Sequence, residues 1–400
     1  MEEESGIAGA LAFDCITVVL NAETNLPKAY SGGNGMKNII DYAAEESSSF
    51  QTKEFNTVDS LVLSQLAYLH FDGFVPGISD TAEPVSIAEV ARKENQDTLF
   101  HDVRDSDSNR KLFQTLAVSP RFRDVRMAFY VNKIDFKAEK QFSAVTYLLD
   151  DRTAYIAYRG TDSTFVGWKE DFNMGFISPV PSQEEGVKYL NTVAGLISSD
   201  LKVGGHSKGG NIAVYSSIKC NQPIQNRITH VFNHDGPGFR EEIFQLSGYL
   251  NMKDRIHKTL PQSSVIGMLL QNQENYSVVR SNRFWIMQHD PFSWLVENSD
   301  FCYVRTVKNS AMFMNTTLNK WISSLDDNKR ELFVDTLYQV IKATGATTFY
   351  DLTGDWQKKA AAALKAIKDI DEDTKIFVLK TIGSLFVFAA KNLRDIHLGI

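Results

Sequence analysis

The stretch from Lys202 to Tyr215 constrains this chain more than any other, because it contains Gly205-x-Ser207-x-Gly209. In this pattern a strand reverses into a helix within a few residues. The turning residue is strained, and a hydroxyl there is lifted above the sheet edge. Only very small neighbours leave room for it. The flanks fit that geometry: 201–205 reads as a short buried strand, and 210–219 as a helix with Ile212, Ala213 and Ser216 on one face. At ordinary glycine usage, the bare pattern should arise by chance on the order of 0.1 times in a chain of this length. Ser207 is therefore the candidate nucleophile, and an idle serine in a glycine-rich turn is the competing reading.

A chain of 400 residues can form one large α/β domain with helical additions, or two domains. A formal net charge of -7 argues against nucleic acid as a partner. The three cysteines, Cys15, Cys220 and Cys302, are odd in number and far apart. They imply a reducing, cytoplasmic setting without a disulfide framework. No C-x-x-C or H-E-x-x-H occurs, so neither a metal nor a cofactor is expected.

Residues 1–35 begin with an acidic run where a secretory signal would be basic. The glycine-rich Ser31 to Gly35, just before Met36, could be spelled by ribosome-binding codons. Residues 1–35 are thus expected to be either a disordered arm or an artefactual extension ahead of a start at Met36. A helical region is expected over 36–125. It includes a helix at 60–70 capped by the Asn56 to Asp59 stretch, and short helices at 87–91 and 110–116. Strands are expected at 127–134, 142–149 and 154–158, then a helix at 183–199, and strands at 228–233 and 255–259. The segments 276–280 and 284–287 read as a hairpin. Strands alternating with helices indicate an α/β fold, with a mostly parallel mixed sheet and helices on both faces. The hydrolase domain is placed at 36–307 and a C-terminal helical region at 308–400. Residues 376–390 are strongly apolar but interrupted, and read as a buried helix. Peripheral contact with a membrane stays open. Phe377, Leu385, Phe386 and Phe388 are candidates to line an acyl pocket.

A serine nucleophile needs a base, an acid to orient that base, and donors for the oxyanion. The chain order Ser, acid, His sends the search downstream of Ser207. Asp235 directly follows a buried strand and precedes a Gly236-Pro237-Gly238 loop, so it is the candidate acid. Asp254 and Asp290 compete with it. Among the later histidines, His289 follows the last expected strand and is closed by Pro291, as a base reaching across strand ends should be. His257 lies inside a strand and His397 near the chain end. His206 should diverge from Ser207 and serve packing or hydrogen bonding. One oxyanion donor is the amide of Lys208, and the other that of Thr161 or Asp162, where Gly160 lets the loop turn. Arg159 could brace that loop through Asp171.

These residues carry a resemblance. Tyr158-Arg159-Gly160-Thr161, Trp168 with Asp171, and Gly205-His206-Ser207-Lys208-Gly209-Gly210 resemble the fungal-type class-three lipases. The 55–61 stretch, 205–211, 233–238, Pro261 to Ser264 and Gln288 to Pro291 are more closely similar to the Mbeg-like bacterial α/β-hydrolases, a family without an assigned substrate. The likeness runs from about Met36 to Val307. It implies an α/β-hydrolase fold and a serine hydrolase. The acid of the lipases falls in a segment matching Pro261 to Gly267, where this chain has Ser263 and Ser264, so Asp235 would serve one strand earlier. The expected activity is cleavage of a small-molecule or lipid carboxylic ester through an acyl-enzyme. A thioesterase, an acyltransferase or a non-catalytic hydrolase-fold binding protein is the alternative.

Overall fold

A computed structural model describes residues 36–135, 140–161, 179–270, 275–283 and 285–324, with a few isolated positions besides. Residues 36–312 form one unit, and 1–35 with 313–400 a second. Within the second, described residues up to Ser323 belong to the helix α7 (Asn309–Ser323). The buried helix expected at 376–390, apart from Ile376, and the aromatic cluster from Phe377 to Phe388 lie outside the described residues.

The first unit is built on one sheet. Its strands are β1 (Val85–Ser86), β2 (Arg126–Asp135), β3 (Lys140–Leu148), β4 (Ala154–Tyr158), β5 (Leu201–His206), β6 (Ile228–His234), β7 (Ile256–Pro261) and β8 (Tyr276–Val279). Three short strands come after these: β9 (Val296–Glu297), β10 (Asp300–Phe301) and β11 (Tyr303–Val304). Among the described residues the order is β1-β2-β3-β4-β5-β6-β7-β8-β11, with β9 and β10 as a separate pair. The run from β4 to β8 is parallel. The pairs at either end are antiparallel. β4 and β5 are buried along their whole length, as parallel strands covered on both faces must be.

The helices of this unit include α1 (Ile39–Glu45), α2 (Thr57–Leu66), α3 (Ile87–Val90), α4 (Ser106–Val118), α5 (Pro181–Leu196) and α6 (Lys208–Lys219). On one face α1, α2 and α4 pack on Tyr147, Tyr155, Ala157 and Phe232. On the other, α5 and α6 pack on Ala144, Ile156, Val203 and Val231. This is the α/β-hydrolase arrangement, a mixed sheet between two helical layers.

The helix expected at 60–70 begins earlier, because the Asn56 side chain accepts from the amides of Val58 and Asp59 while Asp59 returns a bond to the Asn56 amide. It ends at Leu66, where tight turns bury Tyr68 and Leu69. Asp59 has a second function. Both its oxygens hold Arg121, with Nε to Oδ1 at 2.8 Å and Nη2 to Oδ2 at 2.6 Å, and neither side chain is exposed. Tyr42 donates to the same carboxylate at 2.8 Å, and Arg121 lies 4.0 Å from the Phe50 ring centroid. Desolvation and the Asp59 charge raise the Tyr42 phenol pKa far above its usual value. This buried cluster ties α1, α2 and the segment after α4 together.

The hairpin expected from 276–280 and 284–287 does not form. β8 pairs with β11 instead, matching Val279 to Tyr303 and Val278 to Val304. Residues Trp285–His289 form a 3-10 helix. A four-residue apolar run is compatible with a strand or a tight helical turn. Here side chains satisfy the backbone that a ladder would have used. Gln288 accepts from the Ser263 amide at 2.7 Å and donates to the Arg283 carbonyl at 2.8 Å. Trp294 Nε1 donates to the Gln288 carbonyl at 2.8 Å.

Candidate active site

Ser207 sits between β5 and α6 with φ 58° and ψ -130°, a conformation costly for a residue with a side chain. The two flanking glycines are sterically dictated. A Cβ on Gly205 would lie 2.3 Å from the Gly209 carbonyl carbon, and one on Gly209 would lie 2.1 Å from the Tyr158 carbonyl oxygen. Both contacts are to backbone, which cannot move aside, so the elbow closes only with glycine at these two positions.

The sheet register brings the candidate acid alongside. His206 on β5 is paired with His234 on β6, and His234 with Thr259 on β7. Ser207 and Asp235 are each the next residue along, so both emerge at the same sheet edge. The Ser207 amide donates to the His234 carbonyl at 2.8 Å, and the Asp235 amide to that of Thr259 at 2.9 Å. Asp235 also has positive φ, 52°. The loop after it is held by the Gly236 amide on Asn233 Oδ1 at 2.9 Å. Asn211 Nδ2 reaches the Pro237 and Gly238 carbonyls at 3.1 and 3.0 Å.

The side chains complete a continuous hydrogen-bonded chain. His289 Nε2 is 2.9 Å from Ser207 Oγ, and His289 Nδ1 is 2.6 Å from Asp235 Oδ2. Asp235 is fully buried, while His289 retains 13 % side-chain exposure. The other carboxylate oxygen, Oδ1, accepts from Ser264 Oγ at 2.5 Å and from the Gly267 amide at 3.2 Å. With all its bonds aligned, Asp235 can only present Oδ2 to the imidazole. A carboxylate oxygen only accepts, so the Nδ1 proton of His289 points at Asp235 and Nε2 is the nitrogen turned to Ser207.

The competing carboxylates are engaged elsewhere. Asp290 accepts from the Phe292 amide at 3.0 Å and pairs with Arg283 at 2.5 Å. Asp254 precedes β7 and so lies at the opposite end of that strand from Asp235. His257 stacks with Phe232 and His230 along the strands, and burial lowers its pKa. His397 lies outside the described residues.

Lys208 opens α6, so its amide is a first-turn N–H at the positive end of the helix dipole. Its buried ammonium turns away and donates to the Gln141 carbonyl at 3.0 Å. Thr161 stands half-buried at the end of the described segment after β4. Asp162, Trp168 and Asp171 lie outside the described residues. The described partner of Arg159 is Asn132, whose Oδ1 accepts from Nη2 at 3.1 Å. Among the described residues no group of three or more histidines, cysteines or acids could hold a metal ion. No helix among them is long and apolar enough to cross a membrane.

Ser264, Gly267, Gln288 and Tyr68 join the site without having been expected there from the sequence. Pro261 to Ser264 stood out as a motif, but a serine replacing a carboxylate gave no hint that it would serve the carboxylate of the neighbouring strand.

A family model described as Mbeg1-like matches residues 116–339, more than half of the chain. The chain belongs to the Mbeg1-like family. In this Mbeg1-like chain the matched stretch contains the elbow, Asp235, Ser264 and His289. Comparison with curated proteins found no match. Among solved structures the crystal structure of M37 lipase aligns at 14 % identity. That alignment covers 52 % of this chain and 68 % of the lipase, with a TM-score of 0.33, and carries no weight here.

Proposed function

We propose that this protein is a serine hydrolase that cleaves carboxylic esters through an acyl-enzyme, with a small-molecule or lipid ester as substrate. The observation that carries the reading is the unbroken chain from Ser207 through His289 to Asp235 on a strained elbow. In this mechanism His289 Nε2 takes the Ser207 proton as Oγ attacks the ester carbonyl. The tetrahedral oxyanion accepts from the amides of Lys208 and Thr161, and the first of these gains from the helix dipole. The imidazolium, stabilised by Asp235, gives its proton to the leaving alcohol. A water then enters, His289 takes its proton, and the acyl-serine is hydrolysed. The scarcity of cysteines, with Cys220 and Cys302 both free, supports a reducing, cytoplasmic setting.

A fluorophosphonate probe and a panel of p-nitrophenyl esters and acyl-thioesters test this reading. Labelling confined to Ser207, with ester turnover exceeding thioester turnover, is the expected result. An unlabelled protein with no turnover leaves a hydrolase-fold binding protein. Faster thioester cleavage moves the substrate class to thioesters.

A further inference from the structure

The residue just before the nucleophile makes a contact that the proposed mechanism does not use. His206 is 3 % exposed, and its Nε2 lies 2.9 Å from the backbone carbonyl oxygen of His289. A carbonyl only accepts, so His206 carries its proton on Nε2. Its Nδ1 is then an acceptor, and Tyr68, whose hydroxyl is 3.1 Å away, donates to it. Burial, followed by the nearby His289 and His234, pushes the His206 pKa well below the ordinary histidine value, which keeps the ring neutral. The two imidazoles lie against each other, centroids 4.6 Å apart and planes tilted 35°. Trp294 meets the edge of His206 at 6.4 Å and also holds the Gln288 carbonyl.

We propose that His206 is a positioning residue for His289: its Nε2–H holds the base's own carbonyl, and Tyr68 braces the ring through its other nitrogen. The inference rests on His289 being the base of the proposed hydrolase. The nucleophile and the anchor of its base are consecutive residues at the end of β5, so the 2.9 Å gap between Ser207 and His289 is set within one rigid frame. A neutral ring beside His289 also adds no like charge when His289 becomes an imidazolium.

The test uses His206→Phe, His206→Gln and Tyr68→Phe in the full chain. Misplacing a reacting group by about 1 Å costs roughly a hundredfold, so His206→Phe should lower kcat by about that factor with KM within about twofold. The amide N–H of His206→Gln can reach the same carbonyl and should recover about tenfold of the loss. Tyr68→Phe should fall between wild type and His206→Phe. In parallel, the low-field NMR proton on His289 Nδ1, assigned by its absence in His289→Ala, should broaden in His206→Phe and sharpen again in His206→Gln. Wild-type kcat and an unchanged proton signal in His206→Phe would overturn the proposal. So would equal losses in the Phe and Gln variants with KM and Tm moving together, which marks plain structural support. If the wild type neither labels nor turns over, the ester-hydrolase reading fails by itself, and the proton signal alone then decides whether His206 orients His289.

Discussion

Ser264 donates its hydroxyl to Asp235 Oδ1 at 2.5 Å, on the side of the carboxylate opposite His289. The stretch likened above to the acid-bearing segment of class-three lipases thus supplies a hydrogen bond to the candidate acid. Asp235 is buried and reaches His289 through Oδ2 alone, so its orientation depends on this serine and on the Gly267 amide. Ser264→Ala leaves one bond of the pair and should lower kcat by about ten- to a hundredfold, since a bond to a charged group is worth about 1.5–3 kcal/mol. Steady-state kinetics on a p-nitrophenyl ester checks this, and an unchanged kcat would show that Gly267 suffices.

Asp235→Asn should cut turnover by roughly ten-thousand-fold, because an amide at Oδ2 favours the wrong imidazole tautomer. Asp290→Asn should act on stability instead, costing about 1 kcal/mol or less through the lost charge pair with Arg283, since the asparagine oxygen can still cap the Phe292 amide. Measuring kcat and urea midpoints for both variants separates the two roles. The opposite ranking in kcat would transfer the acid to Asp290.

Ser207→Ala should abolish probe labelling and lower kcat on the order of a million-fold. Its Tm should not drop, because the residue occupies a strained positive-φ position and its hydroxyl contacts only His289 in the described geometry. Labelling that persists would locate the reactive serine elsewhere.

Arg121→Ala should be among the most damaging changes outside the site. It strands the fully buried Asp59 carboxylate, and breaking such a pair costs about 3–5 kcal/mol. Equilibrium unfolding in urea reads this directly, and a loss below about 1 kcal/mol would mean that water reaches Asp59 in the variant.

Acid should weaken the fold through His234. This residue is fully buried, its Nε2 is 2.9 Å from Ser60 Oγ, and burial lowers its pKa from 6.5 to about 3. The unfolded chain binds a proton there below about 6.5 while the folded chain does not, so stability falls as pH drops through that window, down to about 3. His234→Asn removes this titration and should flatten the pH dependence of the urea midpoint between those values. An unaltered slope would assign the proton uptake to other groups.

The local pieces of the site were legible in the sequence because their causes are local. The elbow shows as a five-residue pattern in which Gly205 must clear Gly209, so the two glycines announce it, although Gly209 also has to clear the distant Tyr158 carbonyl. The Asn56 cap and the strand preceding Asp235 likewise depend only on neighbours. The parallel core from β4 to β7 was readable from apolar runs alternating with amphipathic helices, whereas β8 was expected in a hairpin. Other features needed the tertiary structure, because their partners are distant in sequence. Whether Asp235 or Asp290 faces the imidazole turns on β5 and β6 aligning Ser207 with Asp235, and on Arg283 engaging Asp290. The 3-10 turn ending at His289, in place of the expected hairpin, arises from Gln288 and Trp294 bonding to backbone groups that a local apolar pattern cannot specify. Side chains that act across the sheet edge, such as Ser264 on Asp235 and Tyr68 on His206, meet their targets only once the strands are in register. The sequence by itself therefore determined the elbow and the α/β order, since both arise from short-range sterics and periodicity. The tertiary structure decided which polar groups share bonds, since burial obliges each of them to find a partner and leaves the choice to three-dimensional proximity.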